Sequence, residues 1–227
     1  MKRLSSYIPN IITCCNLTAG SLAVIMALRG TFEQAAIFIL IAAVCDFLDG
    51  LSARLLHAYS AMGKELDSLS DLISFGLAPG LMVYALLNDY LLLPYGNLEY
   101  LAYIALLIPV AGGIRLAKFN VDDRQTTSFI GLPIPANALF WIGVCFADTR
   151  DWHPVIILAL IVLFSYLMVS NLPMFSLKAS NLSWSNNKLR YILVITSLGL
   201  VFWLGLTGLA GAIIAYILLS LIAWIRK

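Results

Sequence analysis

The sequence predicts an all-α protein, a polytopic transmembrane helix bundle, and three observations carry that prediction. Of 227 residues, 61% are hydrophobic and 11% are charged, where an average soluble domain is about 25% charged. Mean hydropathy is +0.92. The charges are spaced so that long uncharged stretches separate them, several reaching the roughly 20 residues a helix needs to cross a bilayer. The same arithmetic excludes an ordinary soluble globule and a disordered chain. It also excludes a basic nucleic-acid binder, because 14 Lys+Arg nearly cancel 12 Asp+Glu to leave a net charge of +2.

Taken in order, residues 4–28 carry no charge and form the first span. The preceding Lys2 and Arg3 resemble the start of a signal peptide. The apolar run, however, is longer than the usual 7–15 residues and shows no small-residue cleavage site, so it is read as uncleaved. A second span is expected at about 34–56 and a fourth at about 98–118, each interrupted by charges toward its C-terminal end. Uncharged stretches at 72–88, 125–147 and 152–177 give the third, fifth and sixth. Pro133 and Pro135 suit the start of the fifth helix, and Gly131 suits the turn before it. The stretch 178–190 reads as a solvated connection. The last uncharged stretch, 191–225, is 35 residues long, about 52 Å as one helix against about 30 Å of hydrocarbon. Gly205, Thr207 and Gly208 near its middle predict a hairpin, hence eight spans. Cys14, Cys15, Cys45 and Cys145 all fall within spans and read as buried apolar side chains rather than as disulfide partners or metal ligands.

Charge asymmetry tests this count, because Lys and Arg collect in cytoplasmic loops. With eight spans and an internal N-terminus, Lys2, Arg3, Arg54, Lys64, Arg115, Lys118, Arg124, Lys178, Lys188, Arg190, Arg226 and Lys227 lie inside. Only Arg29 and Arg150 lie outside, a bias of twelve to two that seven spans would reduce to ten against four. The expectation is a multi-pass integral membrane protein with both termini in the cytoplasm.

The informative residues are acids placed within this apolar setting. Asp46 and Asp49 lie in the second span, and Asp67 and Asp71 open the third. Each Asp costs about 2.5–3.5 kcal/mol at the bilayer centre, so four cost up to roughly 10 kcal/mol unless something offsets them. At 100° per residue, Asp46, Asp49, Gly50, Ala53, Arg54 and His57 share one helix face, and Gly63, Asp67, Ser70, Asp71 and Ser74 share another. A short connection at 57–62 makes the two helices antiparallel neighbours. The four carboxylates can then converge near the cytoplasmic end, bordered by small residues that leave room for a ligand. Carboxylates suit Mg²⁺, Mn²⁺ or Ca²⁺ rather than zinc, and four of them suggest two metals able to bind phosphate oxygens and activate a hydroxyl. Arg54 could meet the same phosphates on its forked guanidinium. The competing reading is a charge network that only joins two helices.

The run Asp46-Phe-Leu-Asp49-Gly50-Leu-Ser-Ala53-Arg54, followed after eight residues by Gly63-Lys-Glu-Leu-Asp67-Ser-Leu-Ser-Asp71, resembles the signature of the CDP-alcohol phosphotransferases at all eight defining positions. The resemblance implies a six-helix catalytic core, usually a homodimer, that moves a phosphatidyl-type group from a CDP-activated lipid to an alcohol and releases CMP. It implies two divalent ions, Mg²⁺ or Mn²⁺, on Asp46, Asp49, Asp67 and Asp71, with Asp71 as general base. Gly50, Ala53, Arg54 and Gly63 match the positions that receive CDP. On this basis residues 1–177 form the catalytic membrane domain, and 178–227 add a connection and two further helices.

Other segments resemble the branch that uses CDP-diacylglycerol and L-serine: 9–20 around Pro9, Asn10, Thr13 and Asn16; 74–79; 115–120; and 129–136. Thr13 and Asn16 form an i, i+3 polar pair suited to helix packing or to ligand contact. The resemblance favours contact with the CDP part. Serine needs a cation for its carboxylate, and Arg115, Lys118 and Arg124 cluster where the fourth span meets the cytoplasm. Arg115, inside the apolar run, is the preferred candidate, and Asn120 would hold the ammonium group or its own loop. The same cations also serve as membrane-surface anchors, or suit a phosphorylated acceptor such as glycerol 3-phosphate or inositol phosphate. A divalent-cation transporter is the more distant alternative, since it needs no Arg and fixed glycines beside its acids.

Overall fold

A computed structural model describes residues 7–92, 99–122, 129–149, 152–175 and 184–225. Helix α1 (Ile8–Leu28) starts on Pro9 and buries Thr13, Asn16, Ala19, Gly20, Ala23 and Ala27 along one stripe. Their small size lets neighbouring backbones approach closely, as packing within lipid requires. A turn through Gly30, at φ +71°, leads to α2 (Phe32–Leu55), which buries Ala35, Ala36, Ile39, Ala42 and Asp49. Helix α3 (Ala61–Asp71) begins at Ser60, whose hydroxyl accepts the Gly63 N–H. It continues through a π-helical turn (Leu72–Leu77) into α4 (Ala78–Leu92). The third span is therefore longer than its uncharged stretch, because the polar turns carrying Asp67 and Asp71 belong to the same helix.

A 3₁₀ segment (Glu99–Leu106) runs into α5 (Leu107–Val121). Strand β1 (Phe129–Ile130) pairs antiparallel with β2 (Pro173–Met174), Phe129 opposite Met174. Between them stand α6 (Ile134–Phe146) and α7 (Pro154–Val169). As expected, Pro133 and Pro135 open α6, and Gly131 turns before it with φ +77°. A Cβ on Gly131 would lie 2.5 Å from the Met168 carbonyl oxygen. The interior is filled where these helices meet α4: Phe140 stacks on Phe164 at 3.6 Å between ring centroids, and Trp141 meets Phe164 edge-on.

The C-terminal apolar stretch folds as the hairpin the sequence predicts. Helix α8 (Trp184–Leu204), kinked at Asn187, and α9 (Gly208–Ile225) are joined by a 3₁₀ turn (Gly205–Thr207), with Gly205 at φ +60°. A Cβ on Gly208 would lie 2.3 Å from the Leu200 carbonyl oxygen. Thr207 donates to the Phe146 carbonyl, and the Tyr216 hydroxyl donates to that of Phe175. The connection expected at 178–190 is already helical from Trp184, where the sequence holds no Gly or Pro to stop a helix.

Among the described residues, five helices are long and apolar enough to cross a membrane, with 187–225 taken as one; α6 and α7 are shorter apolar helices. Many large apolar side chains point outward, Phe202 at 92% and Trp203 at 85% exposure. That surface suits lipid, not water. The cysteines are less buried than expected: Cys14 and Cys15 are exposed, and Cys45 and Cys145 are half-buried. A thiol behaves as a small apolar group, and a lipid-facing position satisfies it as well as a protein interior does.

Candidate active site

The sequence expectation of α2 and α3 as packed neighbours needs refinement. Both pack along α1 and touch each other little. Between them opens a cavity of about 470 Å³ whose walls include Thr13 of α1, Asp49, Gly50, Ala53 and Arg54 of α2, and Gly63 and Asp67 of α3. All seven match the sequence expectations, five as CDP contacts and Asp49 and Asp67 as metal ligands. Phe119 of α5 closes another side, and Asn10 and Tyr59, which composition and spacing had not singled out as ligand contacts, line it too.

Asp49 and Asp67, which line the cavity, and Asp46 beside them each bring a carboxylate oxygen within 4.8 Å of the others. At an effective dielectric of about 20, each such pair repels by about 3.5 kcal/mol or more. Asp49 is 6% exposed, and its Oδ2, like Asp67 Oδ1, is buried without a hydrogen-bond partner. Buried acceptors left unpaired are expensive. Three hard oxygen donors with two orphaned atoms are what a divalent cation satisfies, so the residues present fit such an ion.

Asp71 stands apart from this trio. It is 9% exposed and accepts a hydrogen bond from Asn16 Nδ2 at 3.3 Å. The charges of Asp46, Asp67 and Asp49 still reach it, and Arg115 of α5 opposes them. Neither Asp71 nor Asn16 lines the cavity. Ser70 and Ser74, read from the sequence only as members of the acidic face, turn toward α1: Ser70 donates to the Thr13 carbonyl and Ser74 to Asn16.

The two signature glycines differ in what they do. A Cβ on Gly50 would meet nothing within 4 Å, so its lost side chain leaves space in the cavity. A Cβ on Gly63 would lie 2.9 Å from Asn10 Oδ1 and 3.0 Å from Ser60 Oγ, so this glycine serves the approach of α3 to α1 and to its own cap. Arg54 donates from Nε to the Gly50 carbonyl at 2.9 Å, which fixes its stem and leaves the outer nitrogens at the cavity wall.

The residues expected to meet serine are divided. Arg115 and Lys118 line a second cavity of about 400 Å³ with Ile130, Met168, Ser170 and Asn171. Arg115 is 6% exposed, its Nε is buried without a partner, and its Cζ lies 5.9 Å from the Phe119 ring centre. Lys118 donates to the Val169 carbonyl. Asn120 donates from Nδ2 to Ser68 Oγ at 2.9 Å, while its carbonyl accepts from Lys64 Nζ at 2.9 Å. It thus ties helix α5 to helix α3, a contact that neither of its two readings, serine ammonium or its own loop, describes. Arg124 lies outside the described residues.

A family model described as CDP-alcohol phosphatidyltransferase matches residues 6–203. The CDP-diacylglycerol--serine O-phosphatidyltransferase of Bacillus subtilis is 37% identical over 168 residues, 74% of this chain and 89% of that protein. The protein of the same name from Helicobacter pylori is 34% identical over 225 residues, 96% of this chain and 90% of the relative. The archaetidylserine synthase of Methanothermobacter thermautotrophicus is 35% identical over 145 residues, covering 61% and 58% respectively.

Proposed function

The chain belongs to the CDP-alcohol phosphatidyltransferase family, and from that premise we propose that it transfers the phosphatidyl group of CDP-diacylglycerol to the hydroxyl of L-serine, yielding phosphatidylserine and CMP. The observation that carries the chemistry is the trio of carboxylates whose two orphaned buried oxygens belong to Asp49 and Asp67, both lining the cavity between α2 and α3. The choice of serine is supported by the names of the relatives and by Arg115, a buried cation suited to a single carboxylate.

In this reading the acyl chains of the donor stay in lipid while its CDP enters the cavity. The open side of Gly50 and the small Ala53 admit the diphosphate, and Arg54 binds it from the wall. Asp46, Asp49 and Asp67, with Asp71 nearby, would hold two divalent ions, Mg²⁺ or Mn²⁺, which supply neutralisation of the diphosphate charge. Arg115 holds the serine carboxylate and so aims the hydroxyl toward the cluster. Asp71 takes the hydroxyl proton as the serine oxygen bonds to the phosphorus that bears diacylglycerol. The bond from that phosphorus to the oxygen of CMP breaks, and CMP leaves with its electron pair. Phosphatidylserine stays in the membrane.

The charge asymmetry supports an active site facing the cytoplasm with both termini on that side. We further assign residues 1–177 to the catalytic domain, with the C-terminal hairpin as an addition braced on α6, and take the functional unit to be a homodimer. The deciding experiment incubates purified protein in detergent with CDP-diacylglycerol, Mg²⁺ or Mn²⁺, and each acceptor in turn. CMP release on addition of serine is the expected result. Release with glycerol 3-phosphate or inositol phosphate instead overturns the acceptor, and cation uptake into liposomes without CMP release overturns the enzyme reading.

A further inference from the structure

Helix α1 and the π-helical turn after Asp71 meet through a short chain of buried polar groups. Asn16 and Ser74 are both fully buried. Ser74 Oγ lies 2.7 Å from Asn16 Oδ1, and Asn16 Nδ2 lies 3.3 Å from Asp71 Oδ1. Chemistry fixes the direction of this chain. In the ionised form that a base must take, the Asp71 carboxylate only accepts, so the amide turns its nitrogen to Asp71 and its oxygen to Ser74. The single Ser74 proton then goes to that oxygen, the main-chain oxygen of Asn16 being the more distant acceptor at 3.2 Å.

Two features of the backbone serve this contact. A Cβ on Gly20 would stand 2.2 Å from Ser74 Oγ and 2.8 Å from Ser74 Cα, so α1 lacks a side chain at the point where Ser74 arrives. Ser74 also lies within the π-helical turn Leu72–Leu77, immediately after Asp71. Such turns are rare and recur at functional sites. Neither Asn16 nor Ser74 lines the nucleotide cavity.

We propose that Ser74 is a positioning residue which, by orienting the Asn16 amide, holds one oxygen of Asp71 toward α1 and leaves the other turned to the acceptor hydroxyl. The inference rests on the reading of Asp71 as the base for that hydroxyl. Because none of Ser74, Asn16 and Asp71 lines the cavity assigned to the donor, the chain acts on turnover more than on donor binding.

The test measures kcat and the KM for CDP-diacylglycerol in Ser74→Ala, Asn16→Ala and the double variant, and repeats Ser74→Ala in an Asp71→Asn background, with thermal midpoints to verify folding. Ser74→Ala is expected to lower kcat about tenfold with KM within about twofold. In the Asn16→Ala and Asp71→Asn backgrounds it should change kcat by less than about twofold, because the chain is already broken. Ser74→Cys, nearly isosteric and with a weak donor, should fall between and takes the place of Ser74→Ala if that variant does not fold. Wild-type kcat in Ser74→Ala, or a full tenfold loss in either background, overturns the proposal while leaving Asp71 as base. Near-wild-type turnover in Asp71→Asn removes the base itself, and this inference with it.

Discussion

The mutual repulsion of the acids gives a prediction that separates a metal site from a structural charge network. Asp49→Asn removes one charge from a trio whose oxygens lie within 4.8 Å of each other, and so relieves two of three repulsive pairs. At about 3.5 kcal/mol per pair the fixed-geometry gain is about 7 kcal/mol. Rotation of the carboxylates and proton uptake absorb most of that, which leaves a gain of about 1–3 kcal/mol in the metal-free protein. The amide nitrogen would also take the place of Oδ2, which is now buried without a partner, and could donate to Asp46 or Asp67. For a chain of this size the gain corresponds to a rise in thermal midpoint on the order of 5 °C. The assay is thermal unfolding in detergent with EDTA and again with Mg²⁺ or Mn²⁺. Wild-type protein should gain stability on metal addition, whereas Asp49→Asn should start higher, gain little and have lost activity. A variant that is less stable than wild type in EDTA and still responds to metal would refute the argument, because the acids would then be stabilising one another through some other partner.

Asp71→Asn should retain metal and CDP binding better than Asp46→Ala, as measured by calorimetry, yet lose turnover by about 10²–10⁴-fold; near-wild-type activity would remove the base. Arg115→Ala is expected to raise the KM for serine about tenfold and leave the KM for CDP-diacylglycerol unchanged, and an unaltered serine KM shows that another group binds the carboxylate. Gly143→Ala places a Cβ 2.3 Å from the Ala210 backbone nitrogen and should destabilise the packing of α9 on α6 by about 1–3 kcal/mol, which thermal unfolding will read.

The spans and the acidic signature were legible because each rests on a local rule. Uncharged length marks a helix that crosses lipid, and a hairpin inside 191–225 follows from its 35 residues. Helical periodicity likewise places Asp46 and Asp49 on one face. What periodicity cannot supply is how far apart two helices stand. It brings α2 and α3 together as neighbours, whereas both lean on α1 and diverge around the cavity. The roles of Asn16 and Asn120 were hidden for the same reason: their partners, Asp71 and Ser68, lie more than fifty residues away in sequence. Gly63 belongs to the signature, yet its close contact with Asn10 depends on the docking of α3 on α1. The π-helical turn after Asp71 has no signal in composition, since Leu72–Leu77 reads as ordinary apolar helix.

The depth of the acids explains why this chemistry is built into a membrane helix pair. Asp49 lies six residues before the end of α2 and Asp67 six residues after the start of α3, so the trio sits about 9 Å below the helix ends. The polar headgroup layer is about 5–7 Å thick on each side. A cluster at that depth lies near the boundary where the phosphates of a diacyl nucleotide rest while its acyl chains remain in hydrocarbon. On the proposed function, the lipid would then react without being extracted, and a water-soluble alcohol would reach the same point from the adjoining aqueous side. Placing the cluster deeper would raise the cost of each acid toward the 2.5–3.5 kcal/mol of the bilayer centre and would force the diphosphate to follow. Placing it higher would expose the trio to bulk water, where the same carboxylates attract a cation far more weakly.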